Sequence, residues 1–271
     1  MTPADTATPI AADLPVRQLW NRLRVEAAAT AAEEPMLAGF MNSGILRHAS
    51  FGEALAHRIA SKLADGQLDA VLLHDVVSEA MRADPSIAAS AAADMLAVDE
   101  RDPACRSLLQ PFFYFKGFQG LQGYRVAHWL WQQGREAIAF HMQSRISELF
   151  AIDIHPAAII GKGVMIDHAT SVVIGETAVV GDDVSMLHEV TLGGTGAAEE
   201  DRHPKIGKGV LIGAGAKVLG NISVGDHARI AAGSVVLQPV PARCTVAGVP
   251  AKPVGGACAE PARSMDHSLP D

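Results

Sequence analysis

The sequence predicts two structurally different halves, a helical domain that ends near residue 150 and a solenoid of short parallel strands that follows it. An aliphatic residue returns at every sixth position from Ile154 onward, and six is neither the helical period nor simple strand alternation. A fixed short repeat indicates units that bury their apolar side only by stacking on their neighbours. All thirteen Phe, Trp and Tyr residues lie at or before Phe150, which suits a coil too narrow for rings. The second half is therefore predicted to be a parallel β-helix of hexapeptide repeats.

The anchors of the repeat fall into three runs separated by two interruptions. The first interruption is a two-residue insertion after Val172. The second is a fourteen-residue step from Leu192 to Ile206, which is eight residues more than one hexad and predicts a loop extruded from the coil. A sandwich of ordinary strands is the alternative. The anchors are Ile154, Ile160, Ile166 and Val172, then Ile174, Val180, Met186 and Leu192, then Ile206, Ile212, Val218, Val224, Ile230 and Val236.

Apolar residues in the first half recur at the three-and-four spacing of amphipathic helices, as in the stripe that begins at Leu55. Ser50 and Glu53 form a capping box just before this stripe, which predicts a helix start. Asp84 followed by Pro85 predicts a second start, with Asp84 as the N-cap and Pro85 at the first helical position.

Length, charge and cysteine usage exclude several classes of protein. At 271 residues the chain is long enough for one or two domains, and its three widely spaced cysteines predict neither a disulfide framework nor a zinc ribbon. The formal net charge of −8 disfavours general binding to nucleic acid or to an anionic membrane. No apolar run approaches the ~18 residues of a membrane span and no secretory signal is recognisable, so we expect a cytoplasmic protein.

A cationic stretch lies inside this acidic chain. Seven basic residues are set against a single acid, Asp226, and such a stretch would suit a small polyanionic ligand such as a phosphorylated cofactor. A solvated face is the alternative. The basic residues are Arg202, Lys205, Lys208, Lys217, Arg229, Arg243 and Lys252.

Asp153 and His168 are candidate catalytic residues. Because three hexads make one turn of eighteen residues, a separation of fifteen is expected to place them on adjacent turns near one corner. An Asp that accepts from one ring nitrogen leaves the other free to take a proton, although a purely structural hydrogen bond is the alternative. Asp102 lies within a polar, Pro-interrupted segment, AVDERDPACRSLLQ, which predicts an N-cap or a loop. Arg202 and His203 lie in the extruded loop, the kind of segment that often carries function.

Several runs of sequence together carry a resemblance to a known family. They are RDPAC and KGFQGLQGYRVAHWLWQQGR in the helical half, and MIDHAT, LGGTG, DRHPKI and AGVPAK in the repeat. Over roughly residues 95 to 255 the chain resembles the bacterial serine acetyltransferases of cysteine biosynthesis, which implies a left-handed parallel β-helix behind the helical domain. Hexapeptide repeats alone are weakly specific. Their combination with the helical RDPA segment is strongly specific.

The resemblance implies transfer of the acetyl group of acetyl-CoA to the hydroxyl of L-serine, which gives O-acetyl-L-serine and CoA without a metal. His168 would be the general base and Asp153 its orienting partner. The carboxylates among the substrate-binding positions suit the amino group of serine, and the guanidinium suits its carboxylate in a forked pair. These substrate-binding positions are matched by Asp102, Asp167, Arg202 and His203.

For acetyl-CoA, the matching positions carry mostly small side chains that would expose backbone groups to the pantetheine arm. They are Gly194, Thr195, Ala214 and Ala232, with Lys217, Arg229 and Lys252 as candidates for the phosphates. The resemblance further implies a homotrimer of coils or a dimer of trimers, active sites between neighbouring coils, and feedback inhibition by L-cysteine. Neither nucleic acid nor a membrane is expected as a partner.

The predicted domains are residues 1–150 (helical, with substrate and oligomer contacts), 151–255 (β-helix acetyltransferase domain) and 256–271 (a flexible C-terminal tail). Relatives that dock into O-acetylserine sulfhydrylase end in isoleucine, whereas this chain ends in SLPD, which argues against that partner. His188 occupies a position where relatives often carry an uncharged polar residue.

Three other functions compete with this interpretation. A γ-type carbonic anhydrase shares the repeat, but it needs two histidines five residues apart on the coil, and the coil has no such pair. A non-catalytic scaffold built on the repeat would show no turnover and no CoA binding. Transfer of the acetyl group to another acceptor, such as homoserine or an amino sugar, is the third.

Overall fold

The structure, a computed structural model, describes residues 10–196 and 200–268, and helices form the chain up to Phe150. A 3-10 turn (Pro35–Leu37) and a π-helical turn (Asn42–Leu46) flank the second helix. Within the described ranges, no helix is both long and apolar enough to cross a membrane. The helices are α1 (Ile10–Glu33), α2 (Ala38–Met41), α3 (Phe51–Leu63), α4 (Ala70–Ala83), α5 (Ser86–Arg101), α6 (Leu109–Phe113), α7 (Lys116–Gln132) and α8 (Glu136–Phe150).

The start of α3 confirms the predicted capping box. The Ser50 side chain accepts the backbone N–H of Glu53 at 3.2 Å, and the Glu53 carboxylate accepts the N–H of Ala49 at 3.0 Å. Helix α5 begins one residue later than predicted. Pro85 is its N-cap, and the Asp84 carboxylate accepts the N–H of Ser86, the first helical residue. Both starts satisfy backbone donors that a helix leaves unpaired.

Short strands form the second half, and they build three sheets. The strands are β1 (Ile152–Ile154), β2 (Ile159–Ile160), β3 (Met165–Ile166), β4 (Val172–Ile174), β5 (Val179–Val180), β6 (Ser185–Met186), β7 (Thr191–Gly193), β8 (Lys205–Ile206), β9 (Leu211–Ile212), β10 (Lys217–Leu219), β11 (Ser223–Val224), β12 (Arg229–Ile230), β13 (Val235–Val236), β14 (Thr245–Ala247) and β15 (Lys252–Pro253). Sheet 1 contains β1, β4, β7, β10 and β13, and sheet 2 contains β2, β5, β8 and β11. Sheet 3 contains β3, β6, β9, β12 and β14, with β15 added antiparallel.

The repeat anchors stack inside this parallel solenoid, as the six-residue period predicts. Ile174, Val180, Met186 and Leu192, for example, are almost fully buried. Each such side chain contributes about 1.5–3 kcal/mol relative to an exposed position. Stacking on the next turn therefore supplies the core that no single hexad could form alone.

The register shows where the interruptions are absorbed. Val218 pairs with Val236, a regular step of eighteen residues, whereas Val180 pairs with Ile206, a step of twenty-six. The additional eight residues form the extruded loop between β7 and β8. Ile154 pairs with Ile174, so the first turn has twenty residues, and Asp153 and His168 lie within that one turn. The expectation that they lie on adjacent turns was wrong, because fifteen residues do not complete this turn.

A buried ion pair joins the helical half to the solenoid. Asp94 of α5 is fully buried and accepts hydrogen bonds from Arg125 Nη2 at 2.7 Å and from the backbone N–H of Val164 at 2.9 Å. Arg125, in α7, also donates to the carbonyl oxygen of Gly161 at 2.6 Å. Since loss of either partner would leave a buried charge unpaired, this pair fixes both helices on the first turn.

The described part of the C-terminal tail is folded, in contrast to the predicted flexible segment. Residues 256–268 lie against sheet 3 and include α9 (Pro261–Ser264). Arg229 donates to the carbonyl oxygen of Asp266 at 3.0 Å, and Arg243 donates to that of Ala259 at 3.2 Å. These two arginines of the solenoid bind carbonyl oxygens of the tail, an interaction that the composition of the tail does not reveal. Residues 269–271, most of the SLPD terminus, lie outside the described part of the chain.

Candidate active site

The predicted functional residues lie mainly along two of the three edges of the solenoid. Edge A is the column of corners where sheet 3 leads into sheet 1, and edge B is the column where sheet 1 leads into sheet 2. Asp167 and His168 belong to the first corner of edge A, residues 167–171. Arg202 and His203 belong to edge B, at the end of the extruded loop.

The corner that carries His168 has an unusual backbone. His168, Ala169 and Ser171 have φ values of 55°, 57° and 62°, in the left-handed region that residues other than glycine rarely adopt. The N–H of Ser171 donates to the carbonyl oxygen of Ala151 at 2.7 Å, which closes the corner over the start of β1. Such backbone conformations each cost about 1–3 kcal/mol and cluster at functional sites.

The His168 ring projects from this corner with its nitrogens unbonded. Its side chain is 75% exposed, and among the described residues it takes part in no hydrogen bond. The nearest carboxylate oxygen, Oδ2 of Asp167, lies 3.9 Å from Nε2. An imidazole in this situation can take a proton from a bound molecule without first giving up a protein partner.

A cavity of about 380 Å³ opens beside the ring. Asp102, Asp167, His168 and Lys116 line it together with apolar groups of α5, α7 and β3. Asp102 is the C-cap of α5, rather than an N-cap, and its carboxylate accepts the N–H of Ala104 at 2.8 Å. Lys116 also donates to the hydroxyl of Thr170, in the corner that carries His168. The structure thus brings the predicted carboxylates Asp102 and Asp167 together with His168.

Asp153 and His168 are not in contact in this structure. Asp153 points outward from the middle of β1, and its carboxylate accepts a hydrogen bond from Gln143 Nε2 at 2.7 Å. Its strand partner is Val173, only five residues after His168. The dyad inferred from spacing is therefore near in the fold but unformed, because Gln143 of α8 takes the carboxylate.

Edge B holds its polar residues in a closed network. The Thr177 hydroxyl accepts the N–H groups of Arg202 and His203 at 3.0 and 3.1 Å. In a second hydrogen bond between the same residues, Nδ1 of His203 accepts the backbone N–H of Thr177 at 3.2 Å. Arg202 Nη2 donates to the Glu176 carboxylate at 2.6 Å. These hydrogen bonds attach the end of the extruded loop to the corner that carries Glu176 and Thr177.

The electrostatics of edge B follow from this network. Burial, together with the charge of Arg202, lowers the pKa of His203, which keeps the ring neutral near neutral pH. The hydrogen bond from Arg202 lowers the pKa of Glu176 and keeps this carboxylate ionised. Because His203 Nδ1 is an acceptor, the proton of the neutral ring lies on Nε2 and is available to a ligand.

A single chain does not bring the predicted serine-binding residues together. Strand β4 begins four residues after His168 and ends three residues before Thr177, so it lies between edge A and edge B. Its three residues alone span about 10 Å of extended chain. Asp102 and Asp167 therefore lie at one edge of sheet 1, and Arg202 and His203 lie at the other.

Below His168, edge A continues as a column of corners bonded to each other. The N–H of Gly215 donates to the carbonyl oxygen of His188, and the N–H of Gly233 donates to that of Ala214. Ala214 and Ala232 lie in this column, whereas Gly194 and Thr195 lie at edge B just after β7. The predicted cofactor positions are thus also divided between the two edges.

The basic residues predicted to hold phosphates differ in their availability. Lys217, the first residue of β10, lies beside edge A and donates to the carbonyl oxygen of Glu189. Lys252 is exposed on β15. Arg229 is largely buried on sheet 3, where it donates to Thr245 and to Asp266 of the tail. Its present partners make Arg229 the poorest of the three candidates.

His188 lies one turn below His168 on edge A. The two ring centroids are 5.9 Å apart with an interplanar angle of 81°. Nδ1 of His188 is buried and has no hydrogen-bond partner among the described residues. In the part of the chain that the structure describes, no group of three or more His, Cys, Asp or Glu side chains could hold a metal ion.

Sequence reasoning missed four residues that shape the site. Thr177 and Glu176 carried no signal of their own, because their role appears only when the extruded loop returns to the corner above. Gln143 lies on α8, a helix that no motif pointed to. Lys116 opens the quoted run KGFQGLQGY, and its charge at the start of a glycine-rich run was the one available hint.

Comparison with known proteins identifies the family of this chain. The model of the serine acetyltransferase N-terminal domain matches residues 19–123, and the bacterial transferase hexapeptide model of six repeats matches residues 203–238. The serine acetyltransferase of Salmonella typhimurium is 54% identical over 250 residues, or 92% of each chain. The crystal structure of the serine acetyltransferase of Vibrio cholerae has a TM-score of 0.92 and 52% identity, covering 93% of this chain and 98% of that chain.

Similar structures also contain small molecules. A serine acetyltransferase in complex with cysteine has a TM-score of 0.92 and 50% identity, covering 93% of this chain and 99% of that one. The enzyme of Brucella abortus in complex with coenzyme A has a TM-score of 0.87 and 49% identity, covering 89% of this chain and 97% of that chain. The enzyme of Neisseria gonorrhoeae in complex with serine has a TM-score of 0.85 and 51% identity, covering 87% of this chain and 97% of that chain. This chain therefore belongs to the serine acetyltransferase family of acyltransferases.

Proposed function

We propose that this protein transfers the acetyl group of acetyl-CoA to the hydroxyl of L-serine, a reaction of cysteine biosynthesis. The observation that carries the proposal is the unbonded His168 ring, which stands beside two carboxylates at the head of edge A. The family of the chain and the serine and coenzyme A complexes of its structural neighbours support the choice of substrates.

His168 acts as the general base in this proposal. A serine hydroxyl does not ionise near neutral pH, so the ring removes the proton as the hydroxyl oxygen attacks the thioester carbonyl carbon. The carbon–sulfur bond then breaks, and the imidazolium returns the proton to the departing CoA sulfur. General base catalysis of this kind typically contributes about 10²- to 10⁴-fold.

Asp153 is proposed as the partner that orients the ring. The exposed His168 side chain is free to rotate, and the hydrogen bond from Ser171 to Ala151 keeps its corner over β1. Asp153 points outward two residues after Ala151, so rotation of the ring and release of Gln143 would let the carboxylate accept from one ring nitrogen. The substitution Asp153→Asn should then lower the rate, although by less than loss of His168.

Recognition of serine requires both edges, and we propose that neighbouring copies supply them. Asp102 and Asp167 at edge A suit the amino group, and Arg202 and His203 at edge B suit the carboxylate. Because sheet 1 separates these pairs within one chain, edge A of one copy would face edge B of the next. A closed ring of three copies repeats this contact at every interface. The homotrimer, or a dimer of trimers through the helices, therefore fits the division of the site.

Acetyl-CoA would lie along edge A, with its thioester at His168 and its pantetheine arm passing the small corners of Ala214 and Ala232. Turns repeat at about 4.8 Å, so this column offers an extended path for the arm. Gly194 and Thr195 would contribute from the neighbouring edge B. Lys217, which is beside the path, is the best placed of the proposed phosphate contacts, followed by the exposed Lys252 and then Arg229.

L-Cysteine is proposed to inhibit the enzyme at the serine pocket. It carries the same amino and carboxylate groups as serine, and a structural neighbour is a complex with cysteine. Millimolar cysteine should slow the reaction at low serine and lose this effect as serine is raised. An unchanged rate at low serine would remove the inhibitory role without affecting the acetyl-transfer proposal.

Acceptor specificity tests the proposed function. Release of the CoA thiol should be measured with L-serine, L-homoserine and glucosamine at a fixed concentration of acetyl-CoA. A pocket that reads both ends of serine should disfavour the longer homoserine by about 10- to 200-fold in kcat/KM. Equal or faster turnover of homoserine or of the amino sugar would assign a different acceptor, and no turnover at all would support a scaffold.

A further inference from the structure

The tail helix α9 is connected to the serine-binding cavity through a buried chain of hydrogen bonds. Arg101, the last residue of α5, is 8% exposed and donates from Nη1 to the hydroxyl of Ser185 at 3.1 Å. The same Ser185 hydroxyl donates to the carbonyl oxygen of Ala262 in α9 at 2.8 Å. Ser185 is fully buried and Ala262 is 2% exposed, so water does not compete at this link.

Arg101 is adjacent in sequence to Asp102, the carboxylate that lines the cavity. Nη1 of Arg101 also donates to the carbonyl oxygen of Gly163 at 3.0 Å, which attaches the end of α5 to the first turn of the solenoid. The Asp102 N–H donates to the carbonyl oxygen of Val98 at 3.0 Å, so Asp102 moves with the last turn of this helix. Where Arg101 is held therefore decides where the Asp102 carboxylate stands.

A second contact attaches α9 to the same helix end. Arg263 of α9 forms an ion pair with Glu100 of α5, and both side chains are well exposed. An exposed pair of this kind contributes little by itself. It nevertheless places the tail against the helix end by a contact that does not involve Ser185.

We infer that Arg101 is a positioning residue for Asp102, and that α9 holds Arg101 through Ser185. The inference rests on the proposed role of Asp102 in binding serine. The C-terminal tail is then part of the serine pocket without touching the substrate. A tail that leaves sheet 3 would loosen the end of α5 and weaken serine binding, while His168 and the rest of edge A stay in place.

The variants Ser185→Ala, a chain ending at Gly255, and their combination test this link in the full oligomeric enzyme. Ser185→Ala and the truncation should each raise the KM for serine about three- to tenfold, since the first removes both hydrogen bonds of the link and the second removes its anchor at Ala262. With Ser185→Ala, kcat and the KM for acetyl-CoA should stay within twofold of wild type. The combination should raise the KM for serine no further than the larger single effect.

Ser223→Ala is the matched control, because it also removes a serine hydroxyl from a strand of the solenoid, but at an exposed position. Its KM for serine should be unchanged. Unchanged serine KM in Ser185→Ala, or additive effects in the combination, would overturn the inference. A general loss of stability would instead lower the melting temperature and alter both KM values, which would also count against positioning.

Hydrogen exchange supplies a readout that does not depend on turnover. The truncated chain and Ser185→Ala should both exchange faster at residues 98–104 than the wild-type protein. Equal exchange in all three proteins would refute the link even if serine proved not to be the substrate. Failure of the wild-type protein to acetylate serine, with faster exchange in the variants, would contradict the proposed function and leave the link standing.

Discussion

Edge A and edge B of the solenoid are built from the same repeat but hold their polar residues in opposite ways. At edge A, the His168 ring is 75% exposed and unbonded on a corner of left-handed residues. At edge B, His203 is 7% exposed and bonded to Thr177, and Arg202 is bonded to Glu176. One edge presents the unbonded ring of the proposed base, and the other presents the proposed carboxylate-binding groups, already fixed by hydrogen bonds.

The two edges also differ in what supports them. Edge A depends on both halves of the chain, because α5 and α7 form one wall of its cavity. At edge B the helical half contacts the first corner, residues 155–158, through Tyr124 and His128, whereas Arg202 and His203 are held by the next corner and by their own extruded loop. The contrast indicates that the helical domain supports the corner of the proposed base, whereas the proposed recognition of the carboxylate depends mainly on local contacts around Thr177. Substitutions at the two edges should therefore fail in different ways.

The largest effect is expected from His168→Ala at edge A. Loss of the general base should lower kcat by about 10²- to 10⁴-fold. The melting temperature should stay near that of wild type, because the ring makes no hydrogen bond within the described structure. His74→Ala, in α4 and remote from both edges, is the control and should keep its activity. Steady-state rates and thermal melts check both expectations, and a fully active His168→Ala enzyme would exclude the proposed base.

Gly117→Ala should break the support that edge A receives from the helical half. A Cβ at Gly117 would lie 1.9 Å from the carbonyl oxygen of Ile166, next to Asp167 and His168. Because the clash is with backbone, relieving it would require α7 or β3 to shift. We therefore expect a loss of about 1–3 kcal/mol in the free energy of unfolding, together with a lower kcat/KM. Gly39→Ala in α2 meets nothing within 4 Å and should leave both quantities near wild type. Equal melting temperatures for the two variants would show that the close approach of α7 to Ile166 does not support edge A.

Gly175→Ala should disturb edge B alone. The new Cβ would lie 2.0 Å from Nε2 of His203, so the imidazole has to leave its place. We expect the KM for serine to rise about tenfold, the loss of roughly one hydrogen bond to a charged group, with kcat less affected. Gly196→Ala, in the extruded loop, meets nothing within 4 Å and serves as the control. A normal serine KM in Gly175→Ala would remove His203 from the recognition set.

The smallest effect concerns pH and the neutral state of His203. Burial lowers its pKa in the folded protein, and the unfolded value is about 6.5. Between these two values the unfolded chain binds more protons, so stability should fall as the pH drops below about 6.5. Burial lowers the pKa of His57 and His155 in the same direction. Melting temperatures from pH 7.5 to 5.5 should show this slope, and His203→Gln should make it shallower.

The repeat made the solenoid predictable, because a one-dimensional period of six residues dictates which anchors stack. The step from Leu192 to Ile206 likewise predicted the loop, since an irregular length has to leave the coil. The relation between Asp153 and His168 was not predictable. The two extra residues were visible in the sequence, but not their effect, which is to enlarge the first turn to twenty residues, and no motif paired Gln143 of the adjacent helix α8 with Asp153.

The hydrogen-bond partners of Arg202 and His203 at edge B show a second limit of prediction from sequence. Arg202 and His203 could be named from their motif, but their partners could not, because the contacts with Thr177 and Glu176 exist only once the loop has folded back. The order of the tail was missed for the same reason, since carbonyl groups of residues 256–268 are held by arginines far away in sequence. Sequence patterns report periodicity well and tertiary hydrogen bonds poorly.

Complementation between two inactive variants tests most directly the claim that one site combines edge A of one copy with edge B of another. His168→Ala and Arg202→Ala chains should be prepared separately and then mixed in equal amounts after dissociation and reassembly. If neighbouring copies share each site, random mixing restores about one quarter of the sites, each with an intact His168 from one chain and an intact Arg202 from the other. Recovery of about that fraction of wild-type activity is the predicted result. A mixture no more active than the separate variants, despite proven exchange of chains, would contradict the account.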